Sequence, residues 1–169
     1  PATGQVTFTP TDKSYTGAVT PAKVQAESSN GIKVDTTYTP EIVPVTPTAT
    51  PAKTTDIQGA TQTGKPEFKG GTVTVDGVEK TVAINEDVPA TFDNGLTTKK
   101  VDGVGTYTVV ADGTVTFVPE KSFTGTTSAV TVVREDKNGT KVSATYTPTV
   151  TPVTPTASPA ESTDVQGAT

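Results

Sequence analysis

Residues Lys13–Thr61 return as Lys121–Thr169 at a constant offset of 108, with 28 identities in 49 positions. One residue of insertion (Thr11 or Asp12) separates this block from an earlier match, in which Gly4–Pro10 pairs with Gly113–Pro119. A chain with a period of about 108 residues folds as a tandem array of one unit. It holds one complete repeat and the back half of a preceding copy, and Lys65–Asp112 occurs once.

The composition says what the unit is made of. Thr and Val supply 63 of the 169 residues, and there is a single Leu, Leu96. Both β-branched types lose rotamer freedom in a helix and fit a pleated surface. No sustained 3.6-residue apolar spacing is present, so the chain reads as all-β. With 31% apolar residues, the core is thin and built from Val, Tyr and Phe.

Turn chemistry locates the hairpins. In Gly105–Pro119 a two-residue Asp112-Gly113 turn would mix the faces. A three-residue Ala111-Asp112-Gly113 loop aligns Tyr107 with Phe117 and Val109 with Val115, leaving Thr106, Thr108, Thr114 and Thr116 outside. The longer loop is the predicted one. Val130–Tyr146 repeats the logic around Lys137-Asn138-Gly139, placing Val130 and Val132 with Tyr146 and Ala144, and Glu135 opposite Lys141. In the earlier copy Ser29-Asn30-Gly31 turns and Glu27 faces Lys33. Thr72–Val75 and Lys80–Ile84 form another pair across Asp76-Gly77. About seven short strands with such turns fit an antiparallel Ig-like β-sandwich, with a small barrel as the alternative.

Val43–Thr54 and Thr151–Ser162 carry proline every three to four residues. Proline removes ladder donors and favours extended polyproline backbone, which makes a semi-rigid spacer. The competing reading is an edge strand or a strap across a sandwich face. Pro44–Thr61 matches Pro152–Thr169 at 14 of 18 positions, against 14 of 31 for Lys13–Val43. Either joint geometry fixes how repeats stack, or low-complexity sequence matches itself easily.

The absences exclude chemistry. With no His and no Cys, there is no imidazole base, no thiol nucleophile, no disulfide and no His/Cys metal site. A net charge of −5 without a basic patch speaks against nucleic acid, and no apolar run reaches the ~20 residues of a membrane span. Pro1 reads as a start inside a longer chain. No catalytic, cofactor-binding or metal-ligating residue is assigned, and an enzyme is not expected.

Individual residues have plain readings. Glu86, Asp87 and Asp93 read as solvated loop charges rather than acid–base catalysts or calcium ligands. Asp112, Asp136 and the junction pair Asp56 and Asp164 are the remaining positions where calcium between modules would sit. Asn138-Gly139-Thr140 is a glycosylation sequon by pattern, but a tight turn explains Asn138 through its tolerance of positive φ. Tyr38 and Tyr146, like Phe8 and Phe117, read as core rather than as an adhesive patch. No Lys–Asn/Asp isopeptide bond is expected; an intact mass about 17 Da below the sequence mass, one ammonia, would reverse that.

The motifs Gly105–Val109, Asp112–Pro119, Lys121–Gly125, Val130–Gly139 and Ala144–Pro155 resemble the CshA-type fibril repeats of streptococcal surface adhesins. Gln58–Gly64 and Pro89–Phe92 are similar to that family's opening half, so the resemblance covers essentially the whole chain. The first copy departs at Val19–Glu27, where Pro21 speaks against a central strand. The resemblance implies a non-catalytic stalk repeat, outside the cell and wall-anchored through another region, projecting an N-terminal adhesive part. Its partners would be neighbouring repeats. The alternative is a repeat that itself binds a host matrix protein or glycan. The expected division is 1–43 as the C-terminal part of a preceding repeat, 44–60 as a Pro/Thr-rich junction, 61–150 as a complete sandwich, and 151–169 as junction and start of the next repeat.

Overall fold

The computed structural model describes residues 3–169, and among them there is no helix. The back half of the first copy forms β1 (Gly17–Ala18), β2 (Ala22–Glu27), β3 (Lys33–Tyr38) and β4 (Glu41–Ile42). β2 and β3 make a hairpin in the expected register, with Glu27 opposite Lys33, and β1 pairs with β4. Pro21 falls just outside β2, where its missing N–H costs the hairpin nothing.

The complete unit begins with β5 (Thr48–Thr50), β6 (Ala52–Ile57), β7 (Gln62–Gly64) and β8 (Glu67–Lys69). β9 (Gly71–Val75), β10 (Val78–Val82), β11 (Thr91–Phe92) and β12 (Thr98–Val101) follow. The last five are β13 (Gly105–Val109), β14 (Val115–Pro119), β15 (Gly125–Thr126), β16 (Val130–Glu135) and β17 (Lys141–Thr151). One sheet runs β12-β13-β14-β7; the other joins β11, β16, β17 and β15, with β6 also on β17. Two small ladders, β5–β8 and β9–β10, flank them.

Both main hairpins take the three-residue loops. Tyr107 opposes Phe117 and Val109 opposes Val115, while Gly113 supplies the left-handed position at φ 91°. Val130 opposes Tyr146 and Glu135 opposes Lys141. The alternation turns Tyr107, Val109, Val115 and Phe117 inward from one sheet, and Phe92, Val130, Val132, Tyr146 and Val150 inward from the other. The rings of Tyr107 and Phe117 stack at 4.6 Å between centroids. This shared core makes the fold an all-β sandwich rather than a barrel. Burying each of these side chains is worth roughly 1.5–3 kcal/mol, so the nine supply most of the driving force.

Three expectations change. The Asp76-Gly77 hairpin forms, but its second strand is Val78–Val82, and Ile84 instead bridges Asp136. Tyr146 and Phe117 are fully buried, whereas Tyr38 and Phe8 of the earlier copy are more than a third exposed. The Pro/Thr-rich segment before the repeat is not a polyproline spacer: Thr48–Thr50 and Ala52–Ile57 are strands. Its prolines at 44, 47 and 51 lie before and between the strands, so no ladder donor is lost where one is needed.

Candidate functional site: the opening and closing strands

The place where the repeat begins is built onto the place where it ends. β6 lies parallel to the last half of β17, from Ala52 opposite Tyr146 to Ile57 opposite Thr151. The ladder continues one residue further, where the Gln58 N–H donates to the Thr151 carbonyl at 2.8 Å. Parallel alternation then directs the amides of Thr54, Asp56 and Gln58 at β17, and the polar backbone groups of Thr147, Thr149 and Thr151 at β6. Pro148 faces the opposite side, where its carbonyl accepts from the Thr127 N–H at 3.1 Å. Its missing N–H therefore falls in the gap between β15 and β16 and leaves the β6 ladder whole.

Side chains tie the two strands beneath the backbone. The Thr54 hydroxyl donates to Gln62 Oε1 at 2.6 Å. Having one proton, it must accept from the Tyr146 phenol, 2.7 Å away. Gln62, itself buried, donates through Nε2 to the Thr149 carbonyl at 2.9 Å. Burial pushes the Tyr146 phenol above its ordinary pKa, against the pull of its bond to Thr54. Gln58 spans the two ends of the unit: Nε2 donates to the Lys121 carbonyl at 2.9 Å, and Oε1 accepts from the Val153 N–H at 3.3 Å.

The candidate residues of the sequence are dispersed. Glu86 receives a 2.9 Å ion pair from the buried Arg134, whose Nε has no partner. Asp93 pairs with Lys99 at 3.4 Å, and the Asp87 N–H is bonded to Asn85 Oδ1. Asp112 pairs with Lys65 at 2.6 Å; that contact, with the Thr114 N–H, holds its carboxyl well below the usual carboxylate range. Asp56 and Asp164 each accept from the next residue's amide, Ile57 and Val165, at 2.7 Å. Among the described residues no group of three or more acidic side chains gathers as a metal site would need.

Asp136 is the buried one, and it builds the hairpin tip. Its Oδ1 accepts from the amides of Asn138 and Thr140, both at 2.9 Å. Asn138 does not take the positive φ expected of it; Gly139 does, at 81°. The sequon's residues are thus accounted for by an Asp-closed turn.

Thr54, Gln58 and Gln62 were not legible as a site. The available signal was the closeness of the two copies in this stretch: Gln58-Gly59-Ala60-Thr61 is identical to Gln166-Gly167-Ala168-Thr169. That signal covers Gln58 alone: Thr54 is Ser162 in the second copy, and Gln62 lies beyond the matched stretch.

The chain matches no curated protein. It is similar to the NMR structure of repeat domain 13 of the fibrillar adhesin CshA from Streptococcus gordonii, at 57% identity over 40% of this chain and 86% of that one, with a TM-score of 0.24. The surface-adhesin CshA repetitive domain matches residues 1–42 and again 44–150. With nearly its whole length matched in two copies, the chain belongs to the family of CshA repetitive domains, repeats of a surface adhesin.

Proposed function

We propose that the repeat is a non-catalytic spacer in the stalk of a surface fibril, which holds an N-terminal adhesive region away from the cell wall. The observation that carries this reading is the parallel pairing of β6 with β17. In a parallel pair the start of one strand lies far from the end of the other. The chain therefore enters the unit at the Ala52 end of the ladder and leaves at the Thr151 end, about 20 Å further on for six residues. A unit that takes the chain in at one end and releases it at the other can be strung head to tail, its partners being the neighbouring repeats. The segment between β4 and β5 is only residues 43–47, which supports short joints.

On this reading the folding unit spans residues 44–150, residues 1–43 close a preceding unit, and 151–169 open the next. Anchoring to the wall comes from another region of the parent protein. Binding of the full chain to immobilised host matrix proteins and to salivary glycans tests the proposal. No saturable binding is expected, while the contour length of the surface fibril falls in proportion as repeats are deleted. Saturable binding by the repeats would assign them adhesion instead.

A further inference from the structure

We infer that the β6–β17 ladder is the element that bears tension along the fibril, loaded in shear. This rests on the spacer reading, in which pull reaches each repeat through its two ends.

The geometry follows from three observations. The first long strand of the unit and the last are hydrogen-bonded to one another, and they are parallel. Tension drags β6 backward from Ala52 and β17 forward from Thr151. The strands must then slide along their common axis, and every bond of the ladder is strained together. Were the strands antiparallel, both pulled ends would lie at one end of the ladder and the bonds would open singly. While the ladder holds, the pull passes from β6 straight into β17, and the strands between them carry load only through their ties to β5, β6 and β17.

The remaining contacts reinforce the same path. β5, just ahead of β6, is held by its own three-residue ladder to β8. At the far end Gln58 extends the ladder through Thr151 and grips the departing chain at Val153. Beneath the ladder, Thr54, Tyr146, Gln62 and Thr149 form a bonded chain from one strand to the other. Tyr146 is fully buried in the core, which fixes that chain to the body of the sandwich.

The sequence has no cysteine, so introduced thiols give unique handles for single-molecule pulling on the full chain. V43C with T154C pulls the ladder in shear; T61C with T154C pulls its Ile57–Thr151 end apart. A clearly higher rupture force is expected for the first pair, and equal forces would overturn the inference without any change to the strands themselves. Two proline variants probe the bonds within the first pair. D56P removes an amide directed at β17, and T55P removes one directed away from it. D56P should rupture about fivefold faster at fixed force, the equivalent of one backbone hydrogen bond of about 1 kcal/mol, and T55P should match the parent. Equal effects of the two would also overturn it. These measurements involve no ligand. A weak ladder would leave the spacer reading standing, and host binding by the repeats would overturn the spacer reading without touching the ladder.

Discussion

Gly64 lies flat against the ring of Tyr146: a Cβ built at position 64 would stand 2.1 Å from Tyr146 Cε2. The glycine serves close approach here, letting β7 pack onto the phenol that reaches Thr54. Replacing it by alanine pushes the ring off its partners. G64A should cost about 1–3 kcal/mol, the usual range for overpacking a dense core. The midpoint of urea unfolding reads this directly, and an unchanged midpoint would show that the ring has room to move.

Removing only the phenol oxygen separates the bond from the packing. Y146F leaves the ring in place and Thr54 still bonded to Gln62. A loss of about 1 kcal/mol is expected in the same unfolding measurement. A combined Y146F/T54V variant should lose less than the two single variants added together, because the changes share one hydrogen bond.

Alkaline pH should act through the same residues. Burial raises the pKa of both Tyr107 and Tyr146. An acid whose folded pKa is raised stabilises the fold fully below its unfolded value, about 10 for tyrosine, and that stability is lost as pH rises through the folded values. Thermal unfolding should therefore weaken steeply above pH 10, and Y146F should flatten that dependence. The share of the tyrosinate absorbance that Y146F removes should rise in step with unfolding.

At acid pH the ordering reverses. Asp112 is depressed, mainly by Lys65, so its contribution is present above the ordinary carboxylate range and is lost as pH falls toward its folded value. Both side chains are about half exposed, at 56% and 49%, which limits the pair to below about 1 kcal/mol. K65A should lower neutral stability by up to that small amount and leave stability at the acid end unchanged, so that the acid limb of the profile flattens.

Arg134 is the costly charge of the sandwich. It is buried, its Nε is unbonded, and its partner Glu86 is 73% exposed. A methionine of similar shape removes the desolvation cost together with the pair. R134M should be neutral or stabilising in thermal unfolding, while an exposed-pair loss such as K99A at Asp93 should be silent.

Local sequence carried much of the fold because its decisive signals are local. Gly113 and Gly139 set three-residue loops, and each loop fixed a register and hence which face of the hairpin is buried. The parallel β6–β17 pair was out of reach for the opposite reason. Nothing in Ala52–Ile57 names a partner some 94 residues away. Its neighbouring prolines suggested solvated polyproline, an extended conformation in the same broad region of φ and ψ as a strand. Only the sheet decides between them. Thr54 and Gln62 likewise look like ordinary polar residues until the fold buries them beside Tyr146.

That long-range pairing has a consequence for biogenesis. β6 leaves the ribosome and the export channel early, and the strand that completes its sheet is among the last of the unit to emerge. Contacts of such wide separation form slowly. β6 must therefore wait, open-edged, until β17 arrives, with its own near-copy in residues 160–165 following close behind as a rival for the edge of β17. Fidelity of the fold then depends on β6 reaching β17 first, and the order of emergence gives it that lead.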